Sequence, residues 1–179
     1  MMRLALVLVC ALEALAFADE PAPHCGVTFD VEIGFGKVAS SSDNNAGATG
    51  WGFAGPSAGV GAWVLPQLAV TGRIAGVNVP DNGVFSSDLF LGPTAQYWLD
   101  ERFWASGGAG LGIHYLSPMS GDSDSVKGIA FDLRVGYVLS KSAESAVSAS
   151  LEVQPAHYSD AGQSVWLTGV GILVGYQYL

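Results

Sequence analysis

Charge is scarce in this chain. Of its 179 residues only 13% are Asp, Glu, Lys or Arg, and seven of those are basic. The acidic excess gives a net charge of −9, which argues against the basic surface that nucleic-acid binding requires. Cysteine is nearly absent. Cys10 lies in a segment expected to be removed, so Cys25 stands alone and no intramolecular disulfide is available. Long apolar runs are missing after residue 17, and a membrane helix needs about 20 residues. Helical periodicity is hardly visible either. Yet half of the residues are hydrophobic and 24 are glycine. A hydrophobic chain without apolar helices leaves two homes, a water-soluble β-barrel or a barrel whose strands cross a membrane.

The N-terminus decides the compartment. Arg3 supplies a short positive region, Leu4 to Phe17 an apolar stretch interrupted by Glu13, and Ala16-Phe17-Ala18 a small-residue cleavage site before Asp19. This is the layout of a secretory signal peptide. The stretch falls short of a spanning helix, and neither Cys10 nor Cys25 follows a small residue, as a lipoprotein would need. The expectation is residues 1–18 as signal peptide and 19–179 as one exported domain.

From residue 26 onward apolar and polar side chains alternate with period two, the mark of strands exposed differently on two faces. Eight runs stand out, at about 26–38, 50–64, 68–78, 87–99, 102–115, 126–139, 146–157 and 164–178. Each reaches the roughly 9–11 residues of a tilted transmembrane strand. Tight links at 65–67, 100–101 and 140–145 alternate with longer polar ones near 40–49, 80–86, 117–125 and 159–163. Short turns on one rim and longer loops on the other are how membrane barrels are built. The expected fold is therefore all-β, an eight-stranded antiparallel up-and-down transmembrane barrel with both termini on the short-turn, periplasmic side.

Face assignment separates the two homes. In the first run Val27, Phe29, Val31, Ile33 and Phe35 oppose Thr28, Asp30, Glu32, Gly34 and Gly36. In the sixth, Ile129, Phe131, Leu133, Val135 and Tyr137 oppose Gly128, Ala130, Asp132, Arg134 and Gly136. A soluble lipocalin-like carrier would turn the bulky face inward around a ligand. A membrane barrel turns it outward, and so many bulky residues exceed what an eight-stranded interior holds. Tyr97, Tyr115, Tyr137, Trp166, Tyr176 and Tyr178 sit towards strand ends, the depth at which aromatic girdles meet lipid headgroups.

Inward parity then gathers the ionisable residues Asp30, Glu32, Arg73, Asp88, Arg102, His114, Asp132, Arg134 and Glu152. Buried charges must pair, so these are expected to form a network that fills the lumen rather than an ion path. The same parity sends Trp63, Trp98 and Trp104 inward beside the short turns, as an aromatic plug. The run Gly107 to Gly112 lacks phosphate-loop spacing. The acidic loop residues Asp43, Asp81, Asp122, Asp124 and Asp160 do not make up a calcium ligand set. No pattern calls for a cofactor or a metal.

The closing Gly175-Tyr176-Gln177-Tyr178-Leu179, with Tyr178 as the terminal aromatic and Leu179 one residue beyond it, resembles the last strand of small outer-membrane β-barrels of the OmpA/OmpX-like superfamily. Leu91-Gly92-Pro93 to Trp98, Arg102-Phe103-Trp104 and the glycine run resemble that superfamily's middle hairpin. The resemblance implies an outer-membrane location, contact with outer-membrane lipids and lipopolysaccharide, and assembly by the outer-membrane barrel machinery. It implies no single activity, and the extracellular partner is left unknown.

A local stretch, His157-Tyr158-Ser159-Asp160-Ala161-Gly162, resembles the H-x-S-N-A-G segment of PagL-type lipid A deacylases. That would make Ser159 a nucleophile and His157 its base. A triad also needs an acid to orient the base, and residues 163–178 contain no Asp or Glu. The expected role is therefore structural or surface-interacting rather than that of a wide pore, with lipid A 3-O-deacylation as the enzymatic alternative.

Overall fold

A computed structural model describes residues 24–40, 50–81, 84–118, 124–160 and 163–179. The expected signal peptide, Asp43 and Asp122 lie outside the described residues, as do the side chains of Asp81 and Asp160. The strands are β1 (Gly26–Ser40), β2 (Gly50–Leu65), β3 (Leu68–Asp81), β4 (Val84–Trp98), β5 (Phe103–Pro118), β6 (Asp124–Lys141), β7 (Ser145–Asp160) and β8 (Gln163–Tyr178). Each pairs with its sequence neighbour, and β1 closes on β8 from Phe29↔Tyr178 to Ser40↔Leu167. The result is a closed eight-stranded antiparallel barrel with no free edge.

Sequence reading placed the strands correctly and cut several of them short. The links near 80–86 and 159–163, expected to be long, are only residues 82–83 and 161–162. Ser, Asp and Pro at strand ends read as loop, but a ladder between neighbours carries polar residues at an end that water reaches. The connection at 41–49 and that at 119–123 remain the longer ones. We call their rim distal, and the one bearing Gly26 and Tyr178 terminal.

The terminal-rim turns have identifiable caps. Asp100 Oδ1 accepts from the backbone N–H groups of Arg102 and Phe103 at 2.6 and 2.7 Å, which ends the ladder before β5 begins. In the β6–β7 turn, Ser142 Oγ accepts from Ser145 N–H at 3.1 Å. The β1–β2 ladder carries a bulge, where Ile33 faces the pair Gly55-Pro56, joined by a cis peptide bond. Gly55 adopts φ +94°, and a Cβ there would meet the Glu32 carbonyl oxygen at 2.8 Å, so only glycine fits this bend.

Candidate functional site

Alternation from strand to strand gives every side chain a side. Val27, Val31, Ile33, Phe35, Val60, Ile129, Leu133, Val135 and Ile172 are all exposed on the outside. Exposed charged side chains on the described strands are confined to their ends: Lys37, Asp124, Lys127 and Lys141. On β6 the charge-free outward stretch runs from residue 128 to 140, about 30 Å once strand rise and tilt are applied. That matches the hydrocarbon thickness of a bilayer, also about 30 Å. A soluble carrier would have the opposite sidedness.

The six aromatic residues expected to form girdles all take outward positions. Tyr115, Tyr137, Trp166 and Tyr176 are exposed, while Tyr97 and Tyr178 are half-buried. Tyr97 Oη donates to Gln67 Oε1 at 2.7 Å, and the Tyr178 ring stacks on Phe29 with centroids 5.6 Å apart. Tyr97, Tyr137, Tyr176 and Tyr178 lie towards the terminal rim, Tyr115 and Trp166 towards the distal one.

Inside, the barrel is filled in layers. At the terminal mouth Trp63, Trp98 and Trp104 are buried with Ala69, Val138, Ala146 and Leu179. Trp104 lies across Gly136, its register partner, where a Cβ would stand 2.1 Å from the indole. A side chain on that residue would push the ring out of the plug. The plug has a component that parity could not show, because it precedes β1. His24 stacks on Trp63 at 4.4 Å, and its Nδ1–H donates to the Pro66 carbonyl at 3.3 Å. Leu179, the residue after the terminal aromatic, turns into the same cluster and donates its N–H to the Glu144 carbonyl at 2.9 Å.

Burial and the nearby Lys141 ammonium hold the His24 imidazole below its ordinary value, against the opposing hydrogen bond to Pro66. An unfolded His24 therefore takes a proton more readily than a folded one. Its contribution to stability is complete above about pH 6.5, the unperturbed value. It declines as pH falls through that point and levels off below the folded value. We expect the wild-type unfolding midpoint to drop more between pH 7.5 and 5 than that of His24→Gln. Equal drops in denaturant titrations of the two proteins would show that the plug does not sense this proton.

Above the plug a ring of hydrogen-bonding side chains includes Thr71, Thr94 and the reciprocal amide pair Gln96–Gln177 at 2.9 and 3.0 Å. The charged layer follows. Arg73 is fully buried among four carboxylates, with contacts of 2.5 Å to Asp30, 2.6 Å to Glu32, 2.9 Å to Glu152 and 3.1 Å to Asp132. Arg134 reaches Glu32 at 2.8 Å and lies 3.7 Å from Asp132, with its guanidinium 5.1 Å from the Trp104 ring. Four strands thus converge on one knot, since its charged residues come from β1, β3, β6 and β7.

Not every ionisable residue expected in the lumen joins it. Asp88 and His114 form a separate pair 4.0 Å apart nearer the distal rim, where Asp88 accepts a short hydrogen bond from Tyr158 Oη. Arg102 is a correction. It lies outside β5, in the turn capped by Asp100, so strand parity does not govern it, and it is exposed and donates to Tyr137 Oη at 3.0 Å.

Around Asp88 and His114 the distal half of the lumen holds an apolar cluster, which the sequence reading missed. Val38, Val77, Val79, Phe90, Leu167 and Leu173 point inward and are almost completely buried there. The missed signal was parity in β3, β4 and β8, where large apolar residues occupy both faces and the pattern loses contrast. With this layer the interior is closed by indoles, then ion pairs, then aliphatic side chains.

His157 and Ser159 share the outward face of β7 towards the distal rim. The His157 ring packs on Trp166 at 4.9 Å. No hydrogen bond joins His157 to Ser159 among the described residues. The base–nucleophile contact that deacylation needs is thus not made in this arrangement. Among the described residues no group of three or more His, Cys, Asp and Glu side chains could hold a metal ion.

No protein-family model matches the chain, and no curated protein does. Solved structures do. The Neisserial surface protein A matches with a TM-score of 0.58 at 13% identity, over 87% of this chain and 98% of that one. Ail, the attachment invasion locus protein of Yersinia pestis, matches with a TM-score of 0.54 at 15% identity, over 84% of this chain and 97% of that one. At such identities the likeness is one of fold: this chain is built as an eight-stranded barrel of the kind found in small outer-membrane proteins.

Proposed function

We propose that this chain is an integral outer-membrane protein with a sealed lumen, its terminal rim periplasmic and its distal rim outward. In this reading it serves as a structural element or a surface-interaction protein. The observation that carries it is the outward apolar band, free of charge between the strand ends, around an interior closed by three successive layers. Bilayer lipid is the solvent that favours such an exterior. Ail, which shares the fold, is named for attachment and invasion, and a surface-contact role of that general kind is the one proposed here.

Leu133 tests the reading, because it lies mid-strand in β6 and faces outward. Leu133→Arg is expected to destabilise the barrel in phospholipid vesicles by about 2–4 kcal/mol, the cost of a midplane cation on a lipid-facing strand. Ser125→Arg, at the distal end of the same strand, should cost little. Heat-modifiable gel mobility across a urea series reads both. Recovery of the wild-type chain in buffer without detergent would overturn the proposal.

A further inference from the structure

The outward face is not uniform. Across β7, β8, β1 and β2 it is hollowed into a groove of about 830 Å³. Its walls include Ile33, Phe35, Phe53, Leu151, Ile172 and Val174, with the Phe35 and Phe53 rings 5.6 Å apart. At its distal end stand Lys37 and Trp51, paired across the β1–β2 ladder, with the Lys37 ammonium 5.8 Å from the Trp51 ring centroid. No acidic side chain lines the groove, although the chain as a whole carries a net charge of −9.

The dimensions fit more than one hydrocarbon chain. From Ile33 to Lys37 the groove follows four residues of strand, about 13 Å, and its four strands span three spacings, about 14 Å. An apolar trough this wide, closed at the headgroup end by one cation, is complementary to an amphiphile with several acyl chains and an anionic head. A lysine at that depth extends its ammonium to the interface while its stem stays on the apolar wall. An indole beside it favours the same level.

We propose that this groove seats the acyl chains of a phosphorylated, multi-acylated lipid of the lipid A class, with the Lys37 ammonium binding its phosphate. The assignment rests on the outer-membrane reading above, with the distal rim in the outer leaflet. It places one lipid at a fixed position on the circumference rather than a uniform shell of lipids.

Native mass spectrometry of the detergent-purified full chain, titrated with hexa-acyl lipid A, tests it. A single tightly held adduct is expected, weakened about five- to tenfold by Lys37→Ala, as the loss of one interfacial charge contact implies. Lys127→Ala removes the same charge near the same rim on β6 and should leave affinity within about twofold. With dephosphorylated lipid A the difference between wild type and Lys37→Ala should vanish. Equal losses in the two lysine variants, indifference to the phosphate, or no retained adduct would each overturn the assignment. Membrane extraction of the same variants separates the two levels. A chain extracted only by detergent but insensitive to Lys37 sinks the groove alone, whereas a chain soluble without detergent sinks the outer-membrane reading as well.

Discussion

Arg73→Met is expected to cost about 3–5 kcal/mol of barrel stability, the range for removing one partner of a buried ion pair. The reason is arithmetic as well as geometry. Asp30, Glu32, Asp132 and Glu152 converge on Arg73, and without it only Arg134 remains to offset four buried carboxylates. Methionine keeps most of the volume, so packing loss contributes little and the uncompensated charge dominates. Should the single variant fail to fold, charge can be told from shape by a second protein. Arg73→Met combined with Asp132→Asn and Glu152→Gln removes two of the stranded charges and is expected to recover a folded, heat-modifiable band. Urea unfolding in vesicles measures both. A triple variant no more stable than the single one would show that Arg73 acts through its fork of hydrogen bonds rather than through charge balance.

Trp98→Ala should be comparably severe, at about 3–5 kcal/mol, the usual cost of truncating a large buried aromatic. Trp98 is fully buried between Trp63 and the terminal-rim turns, with the Lys141 ammonium 5.2 Å from its ring. Conductance makes this substitution informative about function. Of the indoles it is Trp104 whose ring lies 5.1 Å from Arg134 in the ionic layer, so Trp98→Ala is expected to weaken the barrel without opening it in planar bilayers. Large, stable channels in the wild type would contradict a sealed lumen. Channels in Trp98→Ala alone would mean that the plug is the only seal.

The way the two halves of the lumen were read explains what a sequence of this kind discloses. In β1 and β6, polar and apolar residues alternate so sharply that Asp30, Glu32, Asp132 and Arg134 could be assigned inward from parity alone, and that is where they lie. In β4, Phe90 lies between Leu89 and Leu91 on the opposite face, and alternation said nothing about the distal layer that it joins with Val77 and Val79. Arg102 was assigned by extending parity one residue past the true strand start. The error arose because Asp100 captures two backbone N–H groups that a continued ladder would have used. His24 could not be assigned by parity at all, since it precedes the first strand and reaches the plug only because the chain crosses the terminal mouth.

The sequence by itself determined the number of strands, their order and, where alternation is sharp as in β1 and β6, which face carries bulk. Period two and turn chemistry are local, and an up-and-down barrel asks each strand to pair only with its neighbours. It also determined which charges would have to meet, because few are present and most share one face. Only the tertiary structure decided how they meet. Arg73 on β3 reaches Glu152 on β7 across the lumen, a contact fixed by barrel closure and strand stagger rather than by any spacing in the chain. The lipid-facing groove beneath Lys37 is likewise assembled from β7, β8, β1 and β2, the two ends of the sequence joined at the closing seam. Scarce charge, the first feature of this sequence, thus turns out to be charge divided by closure: a knot inside, and exposed charges of both signs at the rims.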